Sequence, residues 1–215
     1  AQSFSYPVAK EEFQVAGRIM SSLDQLIAAC DAAVGTKVTG ISSAYRSKEY
    51  QQQVWNEAAQ QYGEAYAKEY VAVPGYSEHH TGLAVDFGII RQDGTEGTFS
   101  ESENAVWMKD NSYLYGFVRR YAEDKKDITK ISNEAWHFRY VGLPHAAYMT
   151  QNNLCLEEYL AYLKDNTSEA NPLIVNCTAG SFSIYYTSAR EITKPEGSYE
   201  ISGNNIDGYI ITAVL

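Results

Sequence analysis

The sequence predicts an α+β fold: helices packed around a small, mostly antiparallel sheet, followed by a small C-terminal β appendage. Two observations carry this. Between residues 10 and 165, stretches with apolar residues at helical spacing alternate with short β-branched or aromatic runs. After the polar stretch 164–171 the helical periodicity disappears, and only short strand-like runs remain between turn-forming residues. The expected division is a domain over residues 1–165 and a β-rich extension over 166–215 packed on it.

In chain order, the first 30 residues read as an amphipathic helix, with Phe13, Ala16, Ile19, Met20, Leu23, Ile27 and Cys30 at helical spacing after Pro7. Residues 37–42, bounded by Gly35, form a short strand. A helix begins near Ser47, a suitable N-cap with Glu49 in its first turn, and fades near Gly63. Residues 64–71 are helical and stop at the Pro74–Gly75 turn signal. The run 83–90 reads as a buried strand. The polar loop 91–104 follows, placed at the mouth of a cleft. A short helix over 103–110 leads to strands at 117–121 and 135–141, then helices at 144–152 and 156–165. In the tail, strands are expected at 173–177, 181–187 and 209–214.

Composition removes several function classes. Seventeen basic against 27 acidic residues give a net charge of −10, which argues against nucleic acid as a partner. Cys30, Cys155 and Cys177 are scattered with no CxxC pair, so a structural thiolate zinc site is excluded and free thiols are expected. The 18 tyrosines suit half-buried β positions, an apolar ring with a wet hydroxyl. No apolar run is long enough to span a bilayer. The chain starts at Ala1 without methionine, and an N-terminal membrane anchor preceding it is expected.

Four histidines are few enough for their surroundings to matter. His79 precedes a predicted strand that contains Asp86 among Leu83, Val85 and Phe87. A carboxylate in such a run is costly to bury unless it is paired or binds a cation. A second strand delivers His137. Two imidazoles and one carboxylate match a catalytic zinc site with an open fourth position, although a lone histidine is more often a hydrogen-bonded structural residue. Glu134 is the natural general base for an attacking water, or else a solvated turn residue. Positions 134 and 137 point to opposite faces of a regular strand, so their convergence requires a bend or bulge. Arg46, between a strand and a helix, suits an oxyanion or a substrate carboxylate, and equally an interelement salt bridge.

Three blocks, SAYRS at 43–47, PGYSEHHTGLAVDFG at 74–88 and EAWHFRYVG at 134–142, together resemble the D-alanyl-D-alanine carboxypeptidase family of zinc peptidases, of the VanY and VanXY type. The middle block meets every fixed position of SxHxxGxAxD, and the third fits ExWHxRYVG. The resemblance spans roughly residues 10–165. It implies Zn2+ held by His79, Asp86 and His137, Glu134 as the catalytic base, and Arg46 as the group that stabilises the oxyanion. It further implies that Ser77 and Gln51 hold the substrate's terminal peptide. Ala44 stands where the family usually has glycine. His80 occupies a position where glutamine is frequent and is expected to point away from the metal, and His145 is expected to be structural. The tail around 199–209 looks like the C-terminal extension of VanXY relatives.

The implied activity is hydrolysis of the terminal D-Ala-D-Ala bond of peptidoglycan stem peptides, extending to the free dipeptide in the VanXY branch and linked to glycopeptide resistance. The alternatives are an L,D-carboxypeptidase acting on tetrapeptide stems and a non-catalytic peptidoglycan-binding module. The expected location is anchored outside the membrane and facing the cell wall, with the cytoplasm as the alternative.

Overall fold

Helix α1 (Met20–Val34) forms where the first apolar periodicity places Leu23, Leu26, Ile27 and Cys30 on one buried face, and it ends at Gly35 in the left-handed region. It starts later than expected. Phe13 and Val15 are buried in the segment before it, and a 3₁₀ turn at Gly17–Ile19 makes the entry. The apolar residues before position 17 therefore serve the same core without being helical.

The computed structural model describes residues 3–91 and 93–215, and the chain falls into two units, Ala1–Gly142 and Leu143–Leu215. In the first, β1 (Thr39–Ser43), β2 (Ala84–Ile90), β4 (Phe117–Tyr121) and β5 (Glu134–Tyr140) form an antiparallel sheet in the order β1-β2-β5-β4. The two-residue β3 (Glu96–Gly97) adds to β2 from within the polar loop, whose Gln92 lies outside the described residues. Every residue of β2 is buried, in keeping with the apolar residues on both sides of Asp86. Phe87, Phe117, Phe138 and Ile41 from the sheet and Met108 from α4 (Glu103–Asn111) share one core with α1. Each such side chain contributes roughly 1.5–3 kcal/mol by leaving water. Helix α2 (Lys48–Tyr62) is capped as expected, Ser47 Oγ accepting from Tyr50 N at 3.1 Å. Helices α3 (Glu64–Tyr70) and α5 (Lys126–Thr129) complete this unit.

The second unit contains α6 (Leu143–Gln151), α7 (Leu156–Asn166) and a second antiparallel sheet of β6 (Leu173–Cys177), β7 (Gly180–Thr187), β8 (Tyr199–Gly203) and β9 (Tyr209–Val214), ordered β6-β7-β9-β8. The division differs from the 165/166 boundary suggested by composition, because α6 and α7 group with the tail. Their buried Ala146, Met149, Tyr159 and Leu163 belong with Val175, Ile184 and Ile211 of its strands. Strand β8 was not anticipated. It is an edge strand with Tyr199 and Ile201 exposed, so it lacks the buried alternation that marks a strand in sequence. Cys30, Cys155 and Cys177 are free thiols. Among the described residues, no helix is long and apolar enough to cross a membrane.

His145 belongs to this unit's packing. Its Nδ1 lies 2.8 Å from the Tyr159 hydroxyl and its Nε2 lies 3.0 Å from Thr212 Oγ1. Desolvation pushes its pKa from 6.5 down to about 4. Between those values the unfolded chain binds the proton and the folded chain does not, so folding is progressively disfavoured as pH falls from 6.5 to 4. The loss is on the order of 2 kcal/mol, allowing for the ring's remaining exposure. Thermal midpoints of wild type and His145→Gln across pH 4–7 are expected to differ in slope, the wild type falling more steeply on acidification. Parallel profiles would contradict this.

Candidate active site

Neighbouring strands bring the motif residues together. Asp86 on β2 sits directly opposite His137 on β5, and Ser43 on β1 opposite Asp86. His79 arrives on a 3₁₀ turn (Glu78–Thr81) capped by the Ser77 hydroxyl, which accepts from His79 N at 3.4 Å. Gly82 ends that turn at φ +67°, where an added Cβ would stand 3.0 Å from Ala16 N, so a residue without a side chain is required to pass into β2.

His79, Asp86 and His137 each offer a ligand atom within 4.8 Å of the other two, with His79 Nε2 at 3.3 Å from Asp86 Oδ2 and His137 Nδ1 at 2.9 Å from Asp86 Oδ1. His79 Nδ1 is 2.6 Å from the Ala44 carbonyl, which can only accept, so Nδ1 carries the proton and Nε2 presents a lone pair. That Nε2 is buried with no hydrogen-bond partner, and 3.3 Å away stands Asp86 Oδ2, also an acceptor. Two buried acceptors face to face are satisfied by a cation, so the residues fit a divalent metal with nitrogen and oxygen ligands. Burial would raise the Asp86 carboxyl, yet the two imidazoles outweigh it and hold Asp86 well below the carboxylate range. Burial depresses His79, in keeping with a neutral ligand. His137 is the reverse case: burial works against its charged form, but hydrogen bonds to Asp86 and Glu78 carry it up to about 9.

The bulge needed for Glu134 and His137 to converge is present. Strand β5 advances from Phe138 to Glu134 while β4 advances only from Arg119 to Tyr121. Glu134 Oε2 thereby comes within 3.7 Å of His137 Nδ1. Glu134 is 7% exposed, and burial, with Asp86 and Glu78 adding to it, pushes its carboxyl up to about 7 despite His137 and Arg46. Arg46 reaches the same group, its guanidinium 3.4 Å from Asp86 Oδ2, and its Nε is buried without a partner.

Gln51, expected at the substrate's terminal peptide, stands beside Arg46. It is 1% exposed; its Nε2 donates to Ala72 O at 2.8 Å and its Oε1 accepts from Arg46 at 3.0 Å. One end of its carboxamide thus holds Arg46 while the other is anchored to the Ala72 carbonyl. Ser77 is buried beside His79 and its hydroxyl caps the turn.

Sequence reasoning did not single out Glu78. Its Oε1 accepts from Arg120 Nε at 2.8 Å and from Arg139 at 3.2 Å, and its Oε2 lies 3.5 Å from His137 Nε2. Burial opposes its charge, but His137 and the two guanidinium groups keep it ionised, its pKa well below the usual range. It orients the His137 ring so that Nδ1 turns toward Asp86. The only signal in the sequence was a glutamate next to a candidate ligand, with arginines on two later strands.

The chain is similar to several known proteins. A D-alanyl-D-alanine carboxypeptidase of Enterococcus faecium is 39% identical over 176 residues, covering 80% of this chain and 52% of the relative. The chain spans about half the length of several curated relatives it matches. Among solved structures, the vancomycin-resistance D,D-dipeptidase VanXYg, in complex with a D-Ala-D-Ala phosphinate analogue, superposes with a TM-score of 0.84 at 34% identity, covering 95% of this chain and 84% of that one. A D,D-pentapeptidase VanY variant from a VanB-type resistance cassette, in complex with Zn(II), gives 0.63 at 37% identity, covering 74% of this chain and 90% of that one. The VanY family model, D-alanyl-D-alanine carboxypeptidase, matches residues 12–143, which contain every side chain gathered around Asp86. By that match the chain belongs to the VanY family of D-alanyl-D-alanine carboxypeptidases.

Proposed function

We propose that the protein is a zinc-dependent D,D-carboxypeptidase that removes the terminal D-alanine from peptidoglycan stem peptides ending in D-Ala-D-Ala. The observation that carries this is the unpaired His79 Nε2 facing Asp86, with His137 Nδ1 in reach and buried Glu134 beside it. In this reading His79, Asp86 and His137 hold Zn2+, which supplies Lewis acidity when bound. Glu134 takes a proton from the attacking water and returns it to the leaving amine of D-alanine. Arg46 faces the oxyanion as it forms, held by Gln51. The Ser77 hydroxyl is proposed to stand at the substrate's terminal peptide. Family membership and the D-Ala-D-Ala analogue bound by the VanXYg relative support the choice of substrate. A wall-facing location belongs to the same proposal, tested by fractionating cells that express the intact gene product.

The direct test is D-alanine release by purified, zinc-loaded protein from a pentapeptide stem, a tetrapeptide stem and free D-Ala-D-Ala. Release is expected from the pentapeptide, to stop after chelation and to return with zinc. Release from the tetrapeptide alone makes the protein an L,D-carboxypeptidase. Binding of stem peptide without any release makes it a recognition module.

A further inference from the structure

We propose that His80 is a positioning residue for Arg46, acting through hydrogen bonds that its ring makes to two separate loops. The inference rests on the role given to Arg46 above. His80 is not among the residues grouped around a metal. Its Nε2 accepts from Gly75 N at 3.0 Å, and a backbone amide can only donate. The ring proton is therefore on Nδ1, which donates to the Arg46 carbonyl at 2.7 Å. The amide of Arg46 in turn donates to His79 O at 3.3 Å.

Both peptide groups of Arg46 are thus tied to residues 79 and 80, on the same turn that presents His79 toward Asp86. The other end of the side chain is fixed independently by Gln51 and Asp86. Gly75 adopts φ +94° in the turn leading to Ser77, so one imidazole also sets the spacing between the Arg46 loop and the Ser77 turn. Without the ring, the Arg46 carbonyl and the Gly75 amide lose these partners together, and the backbone carrying the guanidinium gains freedom. A misplacement of about 1 Å at a group facing a transition state costs on the order of 100-fold in rate.

The experiment compares His80→Ala, His80→Leu and His80→Gln with wild type for D-alanine release from the pentapeptide, zinc affinity and thermal midpoint. An oxyanion contact acts in the transition state, so His80→Ala and His80→Leu should lower kcat by roughly 10- to 100-fold with KM within about two-fold. Zinc affinity should stay at the wild-type level, because the ring touches no metal-facing atom. A glutamine carboxamide offers an NH2 donor for the Arg46 carbonyl and a carbonyl acceptor for the Gly75 amide, so His80→Gln should recover kcat to within about three-fold of wild type. If His80→Ala does not fold, the leucine and glutamine variants decide the matter, and equal kcat in those two overturns the proposal. Wild-type kcat in His80→Ala overturns it as well, as does a fall in kcat accompanied by lost zinc. A wild type that releases no D-alanine sinks the functional reading and this inference with it. An active wild type with an equally active His80→Ala sinks this inference alone.

Discussion

Replacing Glu134 by glutamine is expected to reduce kcat for a D-Ala-D-Ala-terminated pentapeptide by roughly 10²–10⁴-fold, the usual contribution of a positioned acid–base group, while bound zinc stays at one per chain. The bulge in β5 turns Glu134 onto the face of His137, 3.7 Å from Nδ1. Burial and the neighbouring carboxylates raise its pKa to about 7, which suits a group that accepts a proton from water and then gives it up. A cation held by His79, Asp86 and His137 favours the ionised base at the start of the cycle. Glutamine preserves size and burial and removes only the capacity to move a proton. It also relieves an ionisable group of its burial cost, so the variant should be at least as thermally stable as wild type. The measurements are steady-state kinetics together with zinc content by atomic emission. Full turnover in the glutamine variant would remove Glu134 from the mechanism.

What the sequence reveals of this site and what it hides follow from how far apart the partners lie along the chain. His79, Asp86, Glu134 and His137 stand within short blocks whose spacing is set by one turn and two strands, and the structure brings all four together. The need for a bulge was legible too, because period-two alternation makes positions 134 and 137 incompatible on a regular strand. The supporting contacts were not legible. Glu78 meets Arg120, Arg139 and His137 only through the pairing of β4 with β5, and Gln51 finds Arg46 and Ala72 O by the packing of a helix against two loops. Such pairs leave no periodic trace. The bonds of Gln51 to Arg46 and to the Ala72 carbonyl were accordingly not foreseen. Similarly, Phe13 and Ala16, at helical spacing with Ile19, gave the appearance of an earlier helix start, since apolar spacing over so few residues does not distinguish a helix from a buried extended segment.

Asp86→Asn is expected to have the larger effect on the metal itself. Asp86 is the one carboxylate among the three residues that could hold the metal, and its two oxygens face different partners: Oδ1 lies 2.9 Å from His137 Nδ1, while Oδ2 lies 3.3 Å from His79 Nε2 and 3.4 Å from Arg46. Asparagine keeps the shape but replaces a negative oxygen with a weakly ligating amide. Zinc should fall from one per chain to near zero after dialysis. Turnover should drop by at least about 10³-fold, because Lewis acidity accounts for several kcal/mol of the barrier. A thermal readout separates this from a general loss of fold. A ligand that binds only the folded state raises stability by RT ln(1 + [L]/Kd), so added zinc should raise the wild-type melting midpoint and leave that of Asp86→Asn unmoved. Without metal the variant should itself melt lower than wild type, since His137 and Arg46 lose the buried carboxylate they pair with, so the zinc-dependent shift and not the absolute midpoint is the readout. A zinc-dependent rise in midpoint that survives Asp86→Asn would mean that the cation sits elsewhere, and the placement of Glu134 and Arg46 around it would have to be abandoned as well.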